Sequence, residues 1–158
     1  MNIGFYAGSF DPFTIGHLHL SKVASKLFDR VIVGIGVNPK KKRNFDKQKM
    51  KDAINAIFKD EGLDNCECII YEGLTIDVAK ENGATFLIRG LRNGIDYGYE
   101  ENLAQVNEEI SGIDTIYLRA GKLSAVSSSM VNELLSAGKD VSKYLPNKIL
   151  ALIEKENV

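Results

Sequence analysis

Short apolar runs alternate with helix-spaced apolar stripes along the whole chain. Residues 3–7, 31–37, 68–71, 85–88 and 115–118 are β-branched or aromatic and nearly continuous, which predicts strands. Continuous rather than alternating hydrophobicity suits strands buried on both faces, as in a parallel sheet. Leu20, Val23, Ala24, Leu27 and Phe28 fall at i, i+3, i+4, i+7 and i+8, and Met50, Ala53, Ile54, Ile57 and Phe58 repeat that spacing. Both sets are the apolar stripes of amphipathic helices. Further helices are predicted over 75–82, 97–111, 128–137 and 147–156. Gly62, Gly83, Gly112 and Gly138 close four helices, and Pro146 begins the last. Five strands each followed by a helix predict an α/β fold: a doubly wound, Rossmann-like parallel five-stranded sheet with helices on both faces. Eight such units do not fit the chain, which excludes a TIM barrel.

The 158 residues read as one domain, 1–158, with no repeat, low-complexity segment or linker. Twenty basic residues against 21 acidic give a net charge of −1, which argues against a nucleic-acid partner. No stretch approaches the roughly 18 apolar residues of a membrane span. The opening MNIGFYAGSFDP lacks the basic segment of a signal peptide. Cys66 and Cys68, one residue apart, lack the CxxC spacing and read as reduced apolar fillers of a strand. A cytoplasmic protein without a membrane partner is the expectation.

Ligands in such folds bind beyond the carboxyl ends of the strands, so chemistry is sought on that rim. The first strand runs into GSFDPFTIGH, residues 8–17, which is neither GxGxxG nor GxxxxGK[ST]. It offers a glycine turn, the Ser9 hydroxyl, and His17 at a helix start, where free N–H groups and the helix dipole favour anions. On spacing alone, capping by Ser9 and Thr14 and packing of His17 explain the segment equally well. Gly34-Ile35-Gly36 leads to Pro39 rather than a third glycine and is set aside. His19, two residues from His17, faces another way, so the two cannot share a metal.

Three more clusters lie on the same rim. NPKKKRNF follows the second strand with Lys40, Lys41, Lys42 and Arg43; RGLR follows the fourth with Arg89 and Arg92 about Gly90; AVSSSMVNELL follows the fifth with Ser127, Ser128 and Ser129 at a helix start. Singly, each reads as a solvated loop, an ion-paired arginine set and an N-cap. Together, cations, helix N-termini and hydroxyls on one rim make a polyphosphate cradle.

GSFDPFTIGH, RGLR with residues 96–100, and VSSSMV resemble the phosphopantetheine adenylyltransferase family of the nucleotidyltransferase superfamily with the [HT]xGH motif. The resemblance covers essentially the whole chain in the same order. Asn132 stands where the family pattern has lysine, and Ser9 where many members have threonine. The resemblance implies transfer of an adenylyl group from ATP to 4′-phosphopantetheine, giving dephospho-coenzyme A and pyrophosphate, with Mg²⁺ as cofactor. It also implies a homohexamer built as a dimer of trimers.

By the same resemblance, His17, Lys41 and Arg92 are the catalytic residues, and Ser9, Lys41, Thr75 and Arg89 bind the phosphopantetheine. Ser9 and Phe10, His17, Gly90, Leu91 and Arg92, Glu100, and Leu123, Ser124, Ala125, Val126, Ser127, Ser128 and Ser129 form the ATP site. No protein ligand of the metal is expected. The strand is expected to end near Arg89, freeing both arginines to enter the cleft. Two other readings stay open. One is a related cytidylyl- or adenylyltransferase with another phosphate acceptor, against which TIGH and RGLR count. The other is a nucleotide-binding regulator without turnover, against which His17, Lys41 and both arginines count.

Overall fold

The structure, a computed structural model, describes residues 1–92 and 94–156; the side chains at 94–97, 99 and 100 lie outside the described set. Strands β1 (Ile3–Gly8), β2 (Arg30–Val37), β3 (Cys66–Glu72), β4 (Phe86–Leu91) and β5 (Asp114–Arg119) form one sheet in the order β3-β2-β1-β4-β5. Every neighbouring pair is parallel. Helices α1 (Ile15–Leu27), α2 (Lys47–Asp60), α3 (Thr75–Glu81), α4 (Gly94–Ser111), α5 (Ser128–Ser136) and α6 (Asn147–Glu156) connect and follow the strands. The strand order reverses between β1 and β4, which is where such sheets open a ligand crevice.

Two apolar cores explain why the strands lack polar alternation. On one face, Tyr6, Val31, Val33, Ile35 and Ile88 pack with Leu20 and Ala24 of α1, Met50 and Ile54 of α2, Val131 of α5 and Ile149 of α6. On the other, Ile3, Phe5, Ala7, Ile32 and Leu87 pack with Ile76 and Ala79 of α3 and with Ile113. Along β1, Ile3, Phe5 and Ala7 therefore point one way and Tyr6 the other, the period-two rule with both faces dry. Each such large side chain removed from water contributes about 1.5–3 kcal/mol.

Cys66 and Cys68 are free thiols buried in β3, as apolar fillers would be. Burial pushes their pKa values up to about 11 and about 12, so neither is a thiolate at neutral pH. Gly34 and Gly36 have a packing role: a Cβ on Gly34 would lie 2.6 Å from the Phe5 ring and 2.9 Å from the Tyr71 ring.

One sequence expectation is corrected. β4 does not end near Arg89: Arg89, Gly90 and Leu91 pair in register with Tyr117, Leu118 and Arg119 of β5. The ladder to β5 carries the strand two residues past Arg89, overriding the weak strand preference of Arg-Gly.

Candidate active site

The β1–α1 connection builds the floor of the crevice. Thr14, fully buried, caps α1: its hydroxyl accepts the His17 backbone N–H at 3.4 Å. The His17 side chain answers, its Nδ1 accepting the Thr14 backbone N–H at 2.9 Å. This is a capping box in which histidine takes the place usually held by Glu or Gln. Because Nδ1 accepts an N–H, the ring proton sits on Nε2, so His17 presents one fixed donor.

Aromatic rings hold the imidazole. The Phe10 ring meets it edge-on at a centroid distance of 4.9 Å, with Phe13 at 5.5 Å and Tyr6 at 6.4 Å. Desolvation in that cage, with help from the Arg92 charge, lowers the His17 pKa to about 4. His17 is therefore neutral at physiological pH. Phe10 reaches this position through a backbone φ of +47°, a left-handed conformation that costs a bulky residue roughly 1–3 kcal/mol. Strain of this kind persists only where the surroundings enforce it.

β4 supplies the opposite wall. Arg89, Gly90 and Arg92 line a cleft of about 280 Å³ with Tyr6, Ala7, Gly16, His17, Leu20, Ala120, Leu123, Val126, Ser127 and Ser128. Gly90 lets α1 approach closely: a Cβ there would fall 2.4 Å from Leu20 Cδ1, so the end of that side chain would have to move. Among the described wall residues, the charged ones are both arginines. A chain of net charge −1 thus opens a cationic cleft.

The start of α5 closes the cleft. Ser127 is its N-cap, accepting the Met130 N–H at 3.1 Å. Ser128 Oγ donates to the Pro12 carbonyl at 2.7 Å and Asn132 Nδ2 to the Asp11 carbonyl at 3.0 Å, tying α5 to the β1–α1 turn. Uncapped N–H groups and the positive end of α5 thereby face the same space as His17 and Arg92, an anion site by construction.

A cytidylyltransferase-like family model matches residues 5–134. A phosphopantetheine adenylyltransferase of Porphyromonas gingivalis is 42% identical over 146 residues, covering 92% of this chain and 94% of its own. One of Leuconostoc mesenteroides is 42% identical over 160 residues, covering 99% and 98%. The chain belongs to the phosphopantetheine adenylyltransferase family. A solved Vibrio parahaemolyticus structure, described as a nicotinate-nucleotide adenylyltransferase, superposes with a TM-score of 0.72 over 99% of this chain and 94% of its own. At 20% identity that likeness shows the fold alone.

Of the residues that the family pattern nominates, the cleft wall gathers His17, Arg89, Gly90, Arg92, Leu123, Val126, Ser127 and Ser128. Phe10 lies buried behind His17, and Ser9 is exposed at the rim. Leu91, Ser124, Ala125 and Ser129 sit on the adjoining segments without lining the cleft, and the Glu100 side chain lies outside the described residues. Lys41 is exposed in a separate depression with Asn38, Pro39 and Arg43. Thr75, its Oγ1 2.8 Å from Tyr71 Oη, lines a second cavity of about 130 Å³ with Phe5, Leu74, Leu103 and Asn107. Arg89 lines both cavities and donates to the Ala7 carbonyl at 3.4 Å.

Five wall residues stand outside the set that the family pattern nominates: Tyr6, Ala7, Gly16, Leu20 and Ala120. Tyr6 reads in the sequence as one more buried strand residue, yet it faces the cleft, its hydroxyl held protonated by burial against the pull of Arg89. Leu20 and Ala120 likewise carry no signal beyond hydrophobicity. Gly16, inside TIGH, lies against the β5–α5 segment: a Cβ there would be in ordinary contact, 3.4 Å, with the Val126 carbonyl oxygen.

Proposed function

We propose that this protein transfers the adenylyl group of ATP to 4′-phosphopantetheine, giving dephospho-coenzyme A and pyrophosphate in coenzyme A biosynthesis. The observation that carries the reading is the cleft at the β1/β4 switch point, where a neutral His17, two arginines and the α5 N-terminus converge. That set suits a polyphosphate and offers no nucleophile paired with a base. The acceptor needs neither, because a phosphate monoester has a second pKa near 6 and is largely dianionic at neutral pH. Its oxygen attacks the α-phosphorus in line; the new O–P bond forms as the bond to the β-phosphate oxygen breaks, and pyrophosphate leaves with that electron pair.

Catalysis is then positioning and charge stabilisation. His17 donates through Nε2–H to a non-bridging α-phosphate oxygen, a contact that strengthens as charge gathers there. Arg92 and the α5 N-terminus, with Gly90, Leu91, Glu100 and the 123–129 segment, hold ATP. Arg89, Ser9, Lys41 and Thr75 hold the acceptor; the place of Arg89 in both cavities supports its standing between acceptor phosphate and pantetheine arm. Mg²⁺ would be held by triphosphate oxygens and water, as is usual for that ion, and would supply neutralisation of the triphosphate charge. The cationic and N–H groups of the cleft suit those phosphates.

The homohexamer finds support in α4, which exposes Leu103, Val106 and Ile110 at i, i+3 and i+7. The buried thiols suit the reducing cytoplasm, and no helix among the described residues is long and apolar enough to cross a membrane. A pyrophosphate-release assay tests the reading. Turnover with ATP and 4′-phosphopantetheine, and little with CTP or other phosphate acceptors, is the expected result; the reverse preference overturns it.

A further inference from the structure

Arg43 is the one residue of the basic run whose side chain is drawn into the protein, with 15% of it exposed. Its guanidinium reaches across to the β1–α1 turn. Nη1 donates to the Ser9 carbonyl at 2.6 Å, Nη2 to the Phe10 carbonyl at 3.4 Å, and Nε back to the Phe45 carbonyl at 3.0 Å. Nη2 also lies 3.5 Å from Asp11 Oδ1, and that carboxylate is 12% exposed. Asp11 completes the link from the other side: its oxygens accept the Asn44 and Phe45 backbone N–H groups at 2.7 and 2.9 Å. Two loops 33 and 34 residues apart in sequence are thus fastened reciprocally.

Each loop carries something the reaction needs held still. The turn gripped by Arg43 contains Phe10, whose left-handed backbone sets its ring against His17. The loop that Arg43 belongs to carries Lys41, two residues away and otherwise exposed. Because a trans peptide is planar, fixing the Ser9 and Phe10 carbonyls toward Arg43 turns the Phe10 and Asp11 N–H groups the opposite way.

We propose that Arg43 is a positioning residue for adenylyl transfer, clamping the Lys41 loop to the Ser9–Phe10 turn so that acceptor phosphate and His17 are held in line. This rests on the function proposed above. Lysine cannot do the same work, since a point charge cannot span two carbonyls and a carboxylate as a planar fork does.

Steady-state pyrophosphate release by wild type, Arg43→Ala, Arg43→Lys, Lys41→Ala and the Lys41→Ala/Arg43→Ala double variant decides it. Misplacement of reacting groups by about 1 Å costs up to roughly 100-fold. Arg43→Ala is therefore expected to lower kcat by about tenfold or more and to raise the phosphopantetheine KM. Arg43→Lys should not rescue it, and the double variant should show the phosphopantetheine KM of Lys41→Ala alone. A double variant whose KM effects multiply would make Arg43 a direct phosphate contact and overturn positioning; so would unchanged kinetics, or rescue by lysine. Should Arg43→Ala fail to fold, Arg43→Lys with and without Lys41→Ala carries the same comparison. If wild type itself does not turn over phosphopantetheine, the substrate reading fails. Hydrogen exchange at the Asn44 and Phe45 amides then still judges the clamp: faster exchange in Arg43→Ala supports it, and unchanged exchange overturns it.

Discussion

The Nδ1 of His17 accepts the Thr14 backbone N–H at 2.9 Å, so one imidazole both caps α1 and aims an Nε2–H donor into the cleft. Removing it should separate the two roles. Losing one charge-stabilising donor costs roughly 10²–10³ in kcat, so His17→Ala should lose at least about a hundredfold in turnover. Because the contact strengthens in the transition state, the dissociation constant for ATP, read by calorimetry, should move far less. A kcat within a few-fold of wild type would remove His17 from the chemistry.

The same histidine sets a pH signature in stability. Its pKa is lowered from 6.5 to about 4 in the folded protein. Between those values the unfolded chain binds a proton that the folded chain does not, so stability falls as pH drops through this window and levels off below it. At about 1.4 kcal/mol per unit, the loss is on the order of 1–3 kcal/mol. Urea denaturation from pH 7 to 4 should show that loss in wild type and a smaller one in His17→Gln. Activity should carry no His17 limb above pH 5, since the ring is already neutral there. A rise in kcat/KM near pH 6 belongs to the second ionisation of the acceptor phosphate and should persist in His17→Gln.

Gly34 gives a prediction about the fold alone. A Cβ at that position meets the Phe5 ring at 2.6 Å and the Tyr71 ring at 2.9 Å, both inside the sheet packing. The Phe5 ring is fully buried and cannot swing aside freely, and overpacking of this kind costs roughly 1–3 kcal/mol. Gly34→Ala should therefore lower Tm by several degrees, about 2–4 °C per kcal/mol for a chain of this size. An unchanged Tm would mean that the β2–β3 region yields more easily than its packing indicates.

The architecture was legible because strands buried on both faces leave continuous apolar runs, and the helices between them leave regular stripes. The sequence pattern predicts too short a β4 because Arg89 and Gly90 have little strand preference; pairing with Tyr117 and Leu118 extends it, and no local pattern records that. His17, both arginines and Ser127 were legible as motif members. Tyr6 was not, since a cleft-facing tyrosine in a core strand looks like any other buried aromatic. Arg43 hides in a run of four basic residues: three of its partners are carbonyls, which every residue possesses, and its acidic partner Asp11 lies in a distant loop with no local pattern joining the two.

That run gives a fourth test. Lys40, Lys41 and Lys42 are all exposed, so burial does not distinguish them. A merely solvated patch would treat the three alike, each worth a small screened attraction. Lys41→Ala should raise the phosphopantetheine KM about tenfold or more, the loss expected for one charge-assisted phosphate contact. Lys40→Ala and Lys42→Ala should remain near wild type. Equal effects of the three substitutions would return the loop to a solvated patch.

Arg89 and Arg92 share the cleft wall, but Arg89 alone reaches the second cavity, beside Thr75 and the apolar Leu74 and Leu103. Arg89 sits within β4, paired with Tyr117 of β5, and donates to the Ala7 carbonyl, so its base is fixed by the sheet. Arg92 follows the strand, exposed, at the His17 side, where its charge already bears on the imidazole. The two therefore face different substrates. Arginine's planar fork holds a phosphate by two parallel bonds, which lysine cannot reproduce while conserving charge. Arg89→Lys should raise the KM for phosphopantetheine and Arg92→Lys that for ATP, each by about tenfold, the worth of one bond to a charged group. Were both only surface ion pairs, lysine would cost about 0–1 kcal/mol of stability and leave both KM values alone. Crossed effects, with Arg89→Lys acting on ATP, would instead put the acceptor phosphate at the His17 end of the cleft and reverse the assignment of the two cavities.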